Sequence, residues 1–134
     1  MIQAKNIALL AAPLTATIAG LMSHWWDPRR ALLLPMGLAV LATAWAMSSG
    51  TRGWFTFFRS VGVGAATWGL AQTVYVCAHV VAGEPFDAER FGPQWSQAIG
   101  LIVAHALFLG VPTGAVAGLL LNLPPLRSSS LATD

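Results

Sequence analysis

Charge is what this sequence has least of. Seven Lys and Arg and five Asp and Glu make up only 9% of 134 residues, where soluble domains carry about 25%. So few charges cannot cover a core built from the 56% of residues that are hydrophobic, which excludes an ordinary water-soluble domain. Cysteine is almost absent as well. The lone Cys77 lies inside an apolar run, ruling out a disulfide framework and any cysteine-based metal motif. A net charge of +2 spread along the chain makes no basic stripe, so nucleic acid is not an expected partner. No nucleophile stands beside a base, and no pair of carboxylates falls inside an apolar run. Gly62 and Gly64 open an apolar run rather than a helix that follows a strand, so they carry no dinucleotide meaning. A non-enzymatic protein is expected.

What is present is length without charge. Helices of roughly 17–25 apolar residues cross about 30 Å of hydrocarbon, and four such runs fit: about 6–23, 31–49, 60–83 and 97–122. All twelve charged residues fall outside them. The runs are long and unbroken, without the two-residue alternation of a barrel strand, so helix is the expected form. The fold class is therefore an all-α integral membrane protein, a four-transmembrane-helix bundle running up-down-up-down as a single domain. The first run, preceded by Lys5 alone and longer than a signal-peptide core, is expected to be retained as a span.

The connections are short. A turn is expected over 24–30 at Asp27-Pro28, and a headgroup-level segment over 50–59 with Trp54, Phe55, Phe57 and Phe58 between Arg52 and Arg59. The longest loop covers 84–96, with one helical turn at Asp87–Arg90, and the tail 123–134 is expected to be flexible. Lys5, Arg52, Arg59 and Arg127 lie on one side against Arg29, Arg30 and Arg90 on the other. The positive-inside rule then places both termini in the cytoplasm, in a plasma membrane of the bacterial inner type.

Helices in lipid gain nothing from mere apolarity and associate through close packing and hydrogen bonds. Small residues four apart occur in every span: Ala12, Ala16 and Gly20; Ala42, Ala46 and Gly50; Gly62 with Ala66 and Ala65 with Gly69; and the ridge Gly110, Gly114, Gly118. Pro13 and Pro112 sit inside spans, where proline bends a helix. More seams exist than one bundle needs. Partners beyond the bilayer are therefore expected, either other membrane subunits or further copies of the chain.

Polar side chains at membrane depth face a bundle interior, a cavity or a bound group. Trp68, Gln72, Tyr75 and His79 share one face of the third span, and the fourth answers with His105. A rise of about 1.5 Å per residue, counted from the expected span ends, puts the two histidines within roughly 5–8 Å in depth. His24, just past the first span, belongs to that same side. In an uninterrupted helix His105 lies about 140° from the glycine ridge.

The first functional expectation is a structural or accessory subunit of a larger membrane complex. The second is a subunit carrying b-type haem, chlorophyll or a quinone. His79 and His105 would ligate the metal of a tetrapyrrole, or His79, Tyr75 and Gln72 would hydrogen-bond a quinone, with Trp68 on the same face. A small oligomeric channel or carrier along the Trp68–His79 stripe is the third. A metal site from His24, His79 and Asp27 or Glu84 matches no known ligand spacing, and plain interhelical hydrogen bonding accounts for the same residues.

Overall fold

A computed structural model of the chain describes residues 2–25, 29–48, 51–83 and 94–124. Among these there is helix and no strand. We label the helices α1 (Ile2–Trp25), α2 (Arg29–Ser48), α3 (Trp54–Ala82) and α4. The last comprises Gln94–His105, a π-helical stretch Ala106–Gly110 and Val111–Asn122. All four are long and apolar enough to cross a membrane, compatible with a membrane protein.

Several helix boundaries differ from those the hydropathy implies, α1 starting at Ile2 rather than 6, and two of them bear on the site. α3 begins at Trp54 rather than near 60, so the aromatic segment assigned to a loop forms the helix's first turns. α4 begins at Gln94 rather than 97. The charge of Arg59 in one place and the polar Gln94 and Ser96 in the other end the apolar run without breaking the helix. The expected turn at Asp27-Pro28, the helical turn at Asp87–Arg90 and the tail beyond Pro124 lie outside the described residues.

Packing is inverted relative to a protein in water. The buried apolar residues are mainly alanine: Ala12, Ala16, Ala19, Ala39, Ala44, Ala46, Ala71, Ala98 and Ala117. Large side chains such as Ile7, Leu34, Phe108 and Leu119 stand on the outside. Small residues inside let backbones approach, and large ones outside leave an apolar surface, an arrangement compatible with a membrane protein.

α3 is the central element. It packs against α1, α2 and α4, while the backbones of α1 and α4 stay apart among the described residues. The glycine ridge makes the tightest seam. A Cβ built on Gly110 would fall 2.6 Å from Ala65 Cα, and one on Gly114 2.6 Å from Val61 Cα and closer still to the Ser60 carbonyl oxygen. A Cβ on Gly118 would meet the ring of Phe57 at 2.9 Å. From the other side, a Cβ on Gly64 would fall 2.6 Å from Gly114 N and closer still to Gly110 O. Backbone lies on backbone, and only hydrogen fits between.

The π stretch keeps that seam in phase. Pro112 has no N–H to offer the Phe108 carbonyl and its ring crowds that carbonyl; the turn just before it is the one that widens. Residues four apart drift about 40° per step around an α-helix, so Ile102, Ala106, Gly110, Gly114 and Gly118 would drift about 160°. One additional residue in the π turn takes back about 100°. Ile102 and Ala106 accordingly lie beside Gly69 of α3, continuing the line of the glycines. The 140° separation of His105 from the ridge therefore does not hold, because it assumes an unbroken α-helix.

Proline also shapes α1. Pro13 leaves the Leu9 carbonyl without an intrahelical donor, and one residue earlier the buried Thr43 of α2 enters the ladder. Its hydroxyl accepts from Ala12 N–H at 3.0 Å and donates to the Ala8 carbonyl at 2.9 Å. It bridges a donor and an acceptor that an α-helix normally pairs directly. α1 and α2 are thus pinned at one level, with Ala16 and Val40 fully buried beyond it.

The end of the bundle holding the α2–α3 connection is closed by polar contacts. Asn122 accepts from Gly53 N–H at 2.6 Å and donates to the Gly53 and Gly118 carbonyls. Gly53 has φ of 113°, a conformation open to glycine. Arg59 donates to the Met47 carbonyl, one of the orphaned carbonyls at the end of α2, and lies 4.5 Å over the Phe55 ring. Trp54, Phe55 and Phe58 are exposed around this end.

Candidate functional site

The polar stripe of α3 divides into two pairs. Trp68, 6% exposed, lies in the core with Ala16 and Ala19 of α1, Met36 of α2 and Ala71 of its own helix. Leu32 and Leu109 pack at the edge of this cluster. Among the described residues its buried Nε1–H has no hydrogen-bond partner, and neither has the buried Oε1 of Gln72 one turn later. Tyr75 and His79 instead turn toward each other. The Tyr75 hydroxyl lies 3.4 Å from His79 Nε2, and the ring centroids are 4.4 Å apart at 49°. At that length the hydrogen bond is weak, and ring contact accounts for more of the pairing.

His105 bonds within its own helix, Nδ1 donating to the Leu101 carbonyl at 2.9 Å. In a neutral imidazole an Nδ1–H bond of this kind leaves Nε2 as the acceptor, the form in which the ring accepts a hydrogen bond or binds a metal. His105 is half-buried.

The glycine contacts set how far apart the two histidines stand. Gly64 faces Gly110 and Gly114, Gly114 faces Ser60, and Gly118 faces Phe57, so position numbers fall along α3 as they rise along α4. Continued at the same register, His105 is level with Gly69, ten residues before His79. Ten residues of α-helix span about 15 Å. The 5–8 Å expected from the span ends is corrected, because α4 begins three residues earlier than its hydropathy suggests and the glycines lock the register. Two imidazoles that share one metal must both approach it to roughly 2 Å; 15 Å of axial offset does not permit this. The side chain of His24 lies outside the described residues, as do Asp27 and Glu84. Among the described residues no three His, Cys, Asp or Glu come together as a metal site.

The predicted packing residues separate as well. Gly110, Gly114 and Gly118 form the α3–α4 seam, whereas Gly62 and Ala66 face outward. A Cβ on Gly62 would meet nothing within 4 Å. The α3 positions that receive the ridge are Ser60, Gly64 and their neighbours.

Sequence reasoning missed Thr43 and Asn122. Their signal is slight: a lone hydroxyl near the level of Pro13, and an amide at the last turn of a span. An open groove of about 370 Å³ between α2 and α4, lined by Leu38, Leu41, Ala42, Trp45, Leu120 and Leu121, offers an apolar surface without a polar anchor. No protein-family model matches this chain, and no curated protein or solved structure shows significant similarity to it.

Proposed function

We propose that the chain is an integral membrane protein of a bacterial inner membrane that serves as a non-enzymatic structural or accessory subunit of a larger membrane complex. It crosses the bilayer four times, up-down-up-down, with both termini in the cytoplasm. The short connections and the Lys5, Arg52, Arg59 and Arg127 distribution support that orientation.

The observation that carries the subunit reading is the unused seam on α3. The other small-residue stretches are largely consumed inside the bundle: Ala12 and Ala16 are buried, Gly20 lies against Ala71 and Val74, and the α4 glycines lie against α3. Gly62 and Ala66 keep the same four-residue spacing on an open face, a surface suited to a helix from another subunit. Purification of the tagged full chain in mild detergent is expected to recover a stoichiometric membrane partner. Gly62→Leu is expected to lower that recovery at least tenfold while leaving the melting temperature of the chain itself unchanged. A partner-free monomer, or a partner indifferent to Gly62→Leu, would count decisively against the reading.

A second reading is favoured by His105, whose Nδ1 is committed and whose Nε2 is not. The chain would then carry a haem or chlorophyll on His105, with His79 and Tyr75 serving a separate contact. The readout is optical. A Soret or chlorophyll band in the purified protein, lost in His105→Ala, is expected on this reading; a colourless preparation excludes it.

A further inference from the structure

Two buried polar atoms in this bundle have no use in either reading. Trp68 is 6% exposed and its indole N–H, a donor only, has no partner; Gln72 Oε1, an acceptor, is buried with none. They belong to the same face of α3, four residues apart, where side chains are neighbours. Helices in lipid cannot hand such groups to solvent, and an unmet donor and an unmet acceptor in an apolar interior are each costly. Other polar side chains in the spans answer this demand locally. Thr17, Ser23, Ser60, Thr67, Thr73 and Thr113 each return their hydroxyl to a carbonyl three or four residues back, and Thr43 bridges α1 and α2. Trp68 and Gln72 stand apart from that pattern.

We infer that this pair is a binding site for one hydroxyl group, which accepts from Trp68 Nε1–H and donates to Gln72 Oε1. A hydroxyl or a water is the smallest group that does both. Water satisfies it as a buried structural molecule; an apolar molecule with a hydroxyl head, an alcohol or phenol, satisfies it as a ligand. Alanines on the facing helix, Ala16 and Ala19, keep bulky side chains away from the indole. The site is independent of the unused Gly62 seam and of any pigment on His105.

The test is NMR of the full chain in nanodiscs with nitrogen-15 in the tryptophan indoles, the Trp68 signal being the one lost in Trp68→Phe. The wild-type indole proton is expected to be hydrogen-bonded and to show a cross-peak to water. Added phenol is expected to shift that signal at least tenfold more strongly than toluene, which has the same ring with a methyl in place of the hydroxyl. A water cross-peak with no response to phenol supports the site with water as its sole occupant. A phenol response without a water cross-peak supports it with an organic occupant. An indole proton with a cross-peak only to the Gln72 amide, or one with no hydrogen bond at all, overturns the inference. Gln72→Met should abolish the water and phenol effects together; because the wild-type spectra decide the matter, a poorly folding variant leaves the test intact.

Discussion

Gly64→Ala is expected to prevent α3 and α4 from docking, although it adds a single methyl group. That methyl would fall 2.6 Å from Gly114 N and nearer still to Gly110 O, and both are backbone atoms that no rotamer change moves aside. Overpacking a core ordinarily costs about 1–3 kcal/mol because side chains yield. Here a whole helix must retreat along the seam and lose close contacts over several turns, so a loss of at least about 3 kcal/mol is expected. Gly62→Ala, two residues away, meets nothing within 4 Å. In a helix interior it is expected to be neutral or stabilising by up to about 1 kcal/mol. Thermal unfolding in mild detergent, followed by helical circular dichroism and by aggregation, checks both. Equal melting temperatures for the two variants would show that the backbone seam does not hold the bundle together.

Trp68→Ala is the second large effect. The indole is the largest side chain in the core cluster and touches residues from α1, α2 and α3. In water-soluble proteins, deleting a buried Trp costs about 3–5 kcal/mol, combining lost transfer energy with the cavity left behind. In lipid the transfer part is small, because the unfolded reference is also apolar, while the cavity and lost dispersion remain. About 2–4 kcal/mol is therefore expected for Trp68→Ala. Trp68→Phe separates shape from hydrogen bonding. It keeps most of the ring volume and removes the N–H. With a bare N–H the change should be neutral or stabilising; with a bound hydroxyl it should cost about 1–2 kcal/mol, the range of a polar contact between membrane helices. Melting of the two variants beside wild type gives both numbers.

Much of the architecture was legible because long apolar runs free of charge and of helix breakers mark helices locally. The shortage of charge and four long apolar runs suffice to delimit four helices, and Pro13 and Pro112 mark where two of them deviate. Less legible was where α3 and α4 begin. Trp54–Phe58 is cut off from the third apolar run by the charge of Arg59, and Gln94–Ser96 is polar, yet nothing in either breaks a helix. The three-residue error at α4 passed directly into the estimated depth of His105.

The candidate site was legible as a face and not as a set of contacts. Spacing of four, three and four put Trp68, Gln72, Tyr75 and His79 on one ridge. Only packing showed that Tyr75 and His79 pair with each other while Trp68 goes into the alanine core. The charge deficit and the four apolar runs were determined by the sequence alone, since each residue contributes hydropathy regardless of its neighbours. Which of the many small-residue seams brings helices together was decided by the tertiary structure. Gly62 and Gly64 are indistinguishable by type, but one helix can lie on α3 along only one line. The register of that line sets the 15 Å of axial offset between His79 and His105.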